Sequence, residues 1–84
     1  MYELIFDEEA IQVLEKLEEQ HKIRILNKIL ETKQDPFRFF LRLKGRPEYK
    51  LRVGDYRVIA DIQNNDPRIL ILYIGHRRNI YKRI

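Results

Sequence analysis

The sequence predicts a small α+β fold, β-α-α-β-β-β, with a helical hairpin packed on a small, mainly antiparallel sheet. Three observations predict it. Two stretches with apolar residues at helical spacing occupy the first half of the chain. Two runs of alternating apolar residues meet at Gly54-Asp55, and an almost continuous apolar run follows at 69–74. Because 84 residues suffice for one modest core, a single domain spanning 1–84 is expected.

The first strand and the first helix follow each other directly. Residues 2–6 form a short run rich in residues that favour strands. Asp7 is suited to cap a helix, and the two glutamates after it favour the positive end of the helix dipole. The apolar residues that follow are spaced i, i+3, i+4, i+7, which predicts an amphipathic helix over 8–19.

A second helix is predicted after a break at 20–21. Its apolar row runs to about Lys33, and Asp35-Pro36 ends it because the residue before a proline disfavours helical geometry. Residues 37–43 are aromatic and apolar with interspersed arginines. We interpret them as a connector that packs on the core and ends at 44–47.

Residues 49–53 and 56–62 are the predicted strands of a β-hairpin. Glycine at the first position of the Gly54-Asp55 loop is what a type II′ turn prefers. This register pairs Val53 with Tyr56 and places Arg52 directly across from Arg57. The alternating apolar residues of both strands should then face the helices.

The last predicted strand, 69–74, is apolar almost throughout, which predicts burial on both faces at the centre of the sheet. A polar turn at 63–67 precedes it. Residues 75–84 are predicted to be a basic tail anchored by Ile80 and Tyr81. The pattern does not place the first strand within the sheet.

The hairpin register predicts a cluster of three cations. Alternation puts Lys50 on the same face as Arg52 and Arg57. Like charges directly opposite each other destabilise a sheet, so a fold that keeps them should use them to hold an anion. Residues 36–84 carry twelve basic and four acidic residues, whereas residues 1–35 carry five and nine. The basic half is therefore expected to face a polyanion, and nucleic-acid phosphate is the default candidate.

Composition also excludes several classes of protein. Without cysteine there is no disulfide, thiolate metal site or cysteine nucleophile. Two isolated histidines do not suggest a metal site, and no cofactor is expected. No apolar run approaches the length of a membrane span, and the N-terminus lacks the features of a signal peptide. A cytoplasmic protein is expected.

Three motifs together carry a resemblance to a known family. They are Leu43-Lys44-Gly45, the segment from Tyr49 to Val58, and Gly75-His76-Arg77-Arg78-Asn79-Ile80-Tyr81. In this order, and with the predicted β-α-α-β-β-β plan, the chain resembles the RelE/ParE superfamily of toxins from toxin–antitoxin modules. It looks closest to the RelE branch, and the resemblance covers nearly the whole chain.

The resemblance implies a metal-independent endoribonuclease that cuts mRNA in the ribosomal A site and is neutralised by a RelB-like antitoxin. The family's active-site positions fall on four residues, namely Lys50, Arg57, Arg77 and Tyr81. Positions associated with contact to the RNA backbone fall on Lys44 and Arg52. We add two further candidate RNA contacts from the last motif, His76 and Arg78. Some relatives carry a second lysine where this chain has Glu48.

Metal-free RNA cleavage divides into three tasks. The 2′-hydroxyl must lose its proton, the phosphorane must be stabilised, and the leaving 5′-oxygen must be protonated. Arg57 suits the phosphorane because guanidinium donors match phosphate oxygens. Lys50 is the candidate base, since neighbouring cations favour loss of a lysine's proton. Tyr81 is the alternative base or a stacking platform for a nucleobase, and Arg77 would stabilise the leaving group.

Two other functions remain open from the sequence. A ParE-like inhibitor of DNA gyrase shares the fold family, although that branch generally lacks the full basic catalytic set. A non-enzymatic module that binds RNA or the ribosome fits the composition equally well, since a patch of cations does not by itself specify chemistry.

Overall fold

The computed structural model describes residues 1–83 and confirms the predicted α+β fold. Its elements, in chain order, are β1 (Glu3–Phe6), α1 (Glu8–Lys16), α2 (Glu19–Glu31), a 3₁₀ turn (Pro36–Arg38), β2 (Leu41–Arg42), β3 (Tyr49–Val53), β4 (Tyr56–Gln63), β5 (Arg68–His76) and α3 (Ile80–Arg83). None of the helices in this described part has the length and apolar character needed to cross a membrane.

The five strands form one sheet in the order β1-β5-β4-β3-β2. β1 lies parallel to β5, and all other neighbours are antiparallel. The predicted hairpin register is confirmed, because Val53 pairs with Tyr56 and Arg52 pairs with Arg57. Gly54, the first residue of the turn, has a φ of 59°, and the second, Asp55, does not have a positive φ. This combination is that of a type II′ turn.

The main core lies between the two long helices and the sheet. α1 packs mainly on β5, and α2 contacts β3. The predicted inward alternation of the hairpin is confirmed, and the fully or nearly buried residues on this side include Leu51, Val53, Val58, Ala60 and Ile62. We call this side of the sheet the helix face and the opposite side the far face.

A β-bulge in β5 changes which of its residues face the helices. Ile59 pairs with Tyr73, but the next residue, Ala60, pairs with Ile71, so Leu72 is the extra residue in β5. The bulge therefore lets Ile71 and Ile74 both join the main core although they are three positions apart. On the far face, a second small cluster forms around fully buried Ile59 (Leu43, Tyr73 and Ile80).

The predicted helix boundaries were partly wrong. Asp7 caps α1 as expected, accepting a hydrogen bond from the Glu9 N–H at 3.0 Å. However, α1 ends at Lys16, because Leu17 and Glu18 are extended, with ψ values of 152° and 147°. The extended pair lets half-buried Leu17 pack on the core while the chain changes direction, without the glycine or proline that usually marks such a break.

The end of α2 and the connector also differ from the prediction. α2 ends at Glu31, and the buried Thr32 hydroxyl donates to the carbonyl of Ile29 at 2.6 Å. The segment 37–43 is not only a connector, since it contributes part of the 3₁₀ turn and the two-residue strand β2. Both residues of β2 are exposed, so this short strand lacks the alternation of buried and exposed residues that would predict it.

The last strand and the tail need two corrections. The central strand is β4, and only β4 has consecutive fully buried residues (Val58, Ile59 and Ala60) among those described. In β5, Leu70, Leu72 and Tyr73 are half-buried, because the far-face cluster covers only part of that side. The predicted basic tail continues β5 to His76 and then forms α3, while Ile84 lies outside the described residues.

Candidate functional site

The far face of the hairpin holds the predicted cluster of cations. Arg52 and Arg57 lie directly opposite each other, and Lys50 pairs with Ile59 two positions along the same strands. Since residues that pair across a ladder point to the same side, all three cations share the far face. Arg52 is exposed, whereas Lys50 and Arg57 are half-buried.

A groove of about 390 Å³ lies over these cations, and we call it the cationic groove. Besides the three hairpin cations, it is lined by Lys28, Arg38, Phe39, Leu41, Leu51 and Tyr81. Five lining residues are thus cationic, and none of the described lining residues is acidic. Such a groove is suited to a ligand with several negative charges, because among the described ion pairs only Lys28 of these cations has a carboxylate partner, Glu31 at 3.3 Å.

Arg57 is held in place by its own turn. Its Nη1 donates to the carbonyl oxygens of Gly54 and Tyr56, both at 2.9 Å. These two bonds use two of the five guanidinium donors and leave three for a ligand. A fixed, half-buried guanidinium needs little reorganisation when charge develops beside it, which is the requirement for transition-state stabilisation.

Lys50 and Tyr81 come together although they are far apart in sequence. The Lys50 Nζ lies 5.9 Å from the centroid of the Tyr81 ring. Tyr81 reaches this position because Ile80, which is only 3 % exposed, anchors α3 against β5. Gly75 makes the close approach possible, since a Cβ there would lie 3.1 Å from the Ile80 Cδ1. Tyr81 itself is 45 % exposed, so its ring remains accessible to a ligand.

Arg77 lies at the tip of the hairpin and does not line the cationic groove. Its backbone N–H donates to the Asp55 carbonyl at 2.7 Å, and its Nε lies 3.8 Å from the Asp55 carboxylate. Both side chains are about half or more exposed, so the ion pair contributes little and can exchange for a phosphate. The backbone bond is what fixes the turn after β5 to the hairpin.

The other predicted contacts are dispersed. Lys44 lies in the β2–β3 loop, where the Arg46 guanidinium donates to Glu48 and holds the pKa of that carboxyl below its usual range. His76 stacks edge-on against Tyr56, with ring centroids 5.8 Å apart, on the helix face. Arg78 is exposed in the turn before α3. The structure therefore gathers Lys50, Arg52, Arg57 and Tyr81, but not these three.

Sequence reasoning missed five lining residues of the groove, and three of them, apart from Leu41 and Leu51, are cationic or aromatic. Lys28 comes from α2 and lies over the Phe39 ring, 5.2 Å from its centroid, and Arg38 comes from the 3₁₀ turn. A signal for Lys28 was present, since Arg24 and Lys28 place like charges at i and i+4, which disfavours a helix without another role. Nothing in the sequence pattern indicated Arg38 or Phe39.

The geometry can hold a phosphodiester and present a nucleobase platform to it. Two half-buried cations lie beneath the groove, and an accessible aromatic ring lies beside one of them. Among the described residues, no three histidine, aspartate or glutamate side chains lie close enough to share a metal ion. The cations and the tyrosine of the cationic groove offer charge stabilisation and proton transfer by side chains.

Comparison with known structures gives the same fold from different organisms. The chain is 28 % identical to a chain of the archaeal RelE–RelB complex from Pyrococcus horikoshii, with a TM-score of 0.78 over 90 % of this chain and 94 % of that one. A chain of the E. coli RelBE toxin–antitoxin complex is 26 % identical, with a TM-score of 0.77 over 90 % and 96 %. The RelBE2 complex from Mycobacterium tuberculosis, at 24 % identity, matches with a TM-score of 0.80 over 90 % and 98 %.

Comparison with protein families gives a match over almost the whole chain, whereas comparison with the curated protein sequences gives none. Residues 4–81 match the family described as the ParE toxin of the type II toxin–antitoxin system parDE. The match covers most of β1, both long helices, the complete hairpin and the anchor of α3. The chain therefore belongs to the ParE toxin family, within the RelE/ParE superfamily of type II toxin–antitoxin toxins.

Proposed function

We propose that this toxin, as a single domain, is a ribosome-dependent endoribonuclease that cuts mRNA in the ribosomal A site and so inhibits translation. The observation that carries the proposal is the cationic groove, in which five cations and an accessible tyrosine converge and none of the described lining residues is acidic. A protein that acted only by covering a surface of its target would not need two half-buried cations, Lys50 and Arg57, in a groove. Burying a charge without a partner is unfavourable. A cytoplasmic location follows from the proposed substrate.

The positions of Lys50, Arg57 and Tyr81 support the roles that we propose for them. Arg57, fixed by its turn, stabilises the charge of the phosphorane. Lys50 removes the proton of the 2′-hydroxyl, and Tyr81, beside it, stacks on a nucleobase at the cut or serves as the alternative base. Arg77 moves from Asp55 to the leaving group, where its charge stabilises the departing oxygen. Metal and cofactor are not needed in this scheme.

The remaining predicted residues bind RNA outside the reacting phosphate. Arg52 holds the backbone at the mouth of the groove, because it is exposed and directly opposite Arg57. Lys44, His76 and Arg78 contact more distant phosphates or the ribosome. Removing any one of them should weaken binding without abolishing cleavage.

A RelB-like antitoxin is the proposed partner that controls this activity. Two of the similar structures are RelE–RelB or RelBE complexes of the toxin with its antitoxin. The basic second half of this chain favours an acidic or amphipathic antitoxin segment, since complementary charge accelerates association.

Primer extension on a defined mRNA tests the proposal. The purified protein is incubated with the mRNA with and without translating ribosomes, in parallel with Arg57→Ala and Lys16→Ala. Lys16 is exposed on α1 and lies outside the cationic groove, so its variant controls for the loss of one positive charge. We expect discrete cuts within codons only during translation, absent with Arg57→Ala and unchanged with Lys16→Ala.

Intact mRNA under all conditions would overturn the proposal. The second candidate, a ParE-like inhibitor of DNA gyrase, is favoured by the family match, whose description names ParE. A gyrase supercoiling assay distinguishes the two, because a gyrase inhibitor would block supercoiling at toxin concentrations that leave translated mRNA intact. Binding to RNA or ribosomes without either effect would indicate a non-enzymatic module.

A further inference from the structure

A second groove adjoins the cationic groove across the edge of the sheet. It has a volume of about 360 Å³ and lies between α2 and the hairpin turn, and we call it the side groove. Its lining residues are Arg24, Asn27, Lys28, Glu31, Arg52, Val53 and Gly54. Lys28 and Arg52 line both grooves, so the two form one continuous depression from the far face to α2.

The strand pairing keeps this path open. β2 pairs only with Tyr49 and Lys50, which leaves the outer edge of Leu51–Val53 without a neighbouring strand. An uncovered edge also presents backbone polar groups that lack a ladder partner. A chain leaving the cationic groove can therefore cross this edge toward α2 without displacing any strand.

The electrostatics of the side groove favour a polyanion. Three of its lining residues are cationic, and its one carboxylate, Glu31, is paired with the Lys28 Nζ at 3.3 Å. Lys28 is also held by the Phe39 ring at the junction of the two grooves. Arg24 is exposed, and none of the described ion pairs involves it. Its guanidinium is thus available for a phosphate.

The Arg24 guanidinium lies against the hairpin turn. A Cβ on Gly54 would lie 2.8 Å from the Arg24 Nη1, so a side chain there would require the exposed guanidinium to move. The turn itself favours glycine because of the φ of 59° at Gly54, and this turn positions Arg57. The turn brings the Arg24 guanidinium close to the hairpin that carries Arg52 and Arg57.

We propose that the side groove is a second RNA-backbone site, in which Arg24 and Lys28 bind phosphates of the single-stranded RNA next to the segment in the cationic groove. This inference rests on the proposed function for the identity of the ligand. It extends that function from the reacting phosphate to the neighbouring nucleotides. Arg24 acts in binding and positioning, since it lies outside the groove where cleavage is proposed.

Salt-dependent binding tests the second site. The probe is a short, fluorescently labelled RNA carrying 2′-O-methyl groups, which cannot be cleaved by attack of the 2′-oxygen. Each phosphate contact to a single strand contributes about 0.7 to the slope of log affinity against log salt. Arg24→Ala should reduce the magnitude of the slope by about 0.7 and weaken binding about three- to ten-fold at low salt. Arg24→Lys should restore most of the slope.

Lys22→Ala is the matched control, because it removes one cation from the same helix outside the side groove. Equal slopes for Arg24→Ala and Lys22→Ala would overturn the second site, as would an RNA affinity of the intact protein that does not depend on salt. A thermal midpoint of Arg24→Ala equal to that of the intact protein shows that binding, and not folding, has changed.

A cleavage assay run in parallel separates the two proposals. If the intact protein cuts translated mRNA and Arg24→Ala binds and cuts as well as it does, the second site is wrong and the proposed function stands. If the intact protein cuts nothing but Arg24→Ala still lowers the salt slope, the nuclease proposal fails and the second site stands. A preference of the intact protein for duplex DNA over the RNA probe would overturn the assignment to RNA.

Discussion

On the helix face, β3 and β4 present Leu51, Val58 and Ala60 to the main core, whereas on the far face the same strands present Lys50 and Arg57. Apolar burial on one face supplies the stability that the other face loses by placing cations side by side. The difference shows how a period of two residues lets one hairpin serve folding and binding at once. Substitutions on the helix face should therefore mainly reduce stability, whereas substitutions on the far face should mainly reduce RNA binding or cleavage.

The largest effect on stability is expected on the helix face. Ile71→Ala removes a fully buried side chain from β5 and should lower the free energy of unfolding by about 2–5 kcal/mol in urea denaturation. RNA binding by the molecules that remain folded should not change. Ile11→Ala, at an exposed position of α1, is the control and should stay within about 0.5 kcal/mol. A specific loss of RNA affinity in folded Ile71→Ala would break the division between the faces.

The largest effect on activity is expected on the far face. Arg57→Ala should slow cleavage of translated mRNA by about 10²–10³-fold, as for loss of a fixed donor to a developing charge. The free energy of unfolding should fall by about 1–3 kcal/mol at most, since Arg57 gives up two bonds to its own turn and each contributes about 0.5–1.5 kcal/mol. Single-turnover cleavage and urea denaturation measure the two effects. Undiminished cleavage would remove Arg57 from the mechanism.

A substitution in the apolar cluster of the far face should affect both stability and activity. Ile80→Ala should slow cleavage by about 10²-fold, because loosening α3 misplaces Tyr81 beside Lys50. Global stability should fall less than for Ile71→Ala, since a four-residue helix can detach locally. Faster trypsin cleavage near Lys82 reports the detachment, and Ile80→Leu should restore both properties. Equal losses of global stability at Ile80 and Ile71 would contradict a separate cluster.

A smaller effect of opposite sign should appear at Arg52. Arg52→Gln removes one of two opposed cations, so the free energy of unfolding should rise by about 0.2–1 kcal/mol. RNA affinity should fall about three-fold at moderate salt, as for the loss of one phosphate contact. Arg42→Gln, on exposed β2, controls for the substitution itself. A decrease in stability would show that the opposed arginines do not repel each other.

The smallest effect concerns pH and the β2–β3 loop. Because Arg46 holds the pKa of Glu48 below its unfolded value, their pairing stabilises the fold fully above that unfolded value. The contribution is lost as pH falls through the lower folded pKa. Thermal midpoints measured from about pH 6 to pH 3 should therefore fall slightly more for the intact protein than for Glu48→Gln. Parallel curves would indicate that the exposed pair contributes nothing.

The register of the hairpin could be predicted because all its determinants are local, although β4 runs one residue further than predicted, to Gln63. A glycine at the first turn position and strict alternation fix which residues pair, so the Arg52–Arg57 juxtaposition required no tertiary information. The same holds for the Asp7 cap. The end of α1 was missed because Leu17 leaves the helix to pack on the core, a tertiary preference that overrides its propensity.

The candidate site was predictable only where it is part of the hairpin. Tyr81 lies beside Lys50 because Ile80 docks on Gly75, a contact between elements that no local period encodes. Arg77, assigned with the catalytic residues from the resemblance, instead lies against Asp55 at the hairpin tip. Arg38 and Phe39 entered the groove through a 3₁₀ turn that carries no periodic signal. How the assigned residues act remains a prediction.

The pairing of β1 with β5 has a consequence for synthesis. Glu3 is made well before its partner in the sheet, Arg68. The nascent strand β1 therefore has no neighbour until β5 has been translated, and contacts of such long sequence separation form slowly. The complete sheet can form only after β5 has been made, which leaves an interval between synthesis of the hairpin cations and assembly of the sheet that carries them.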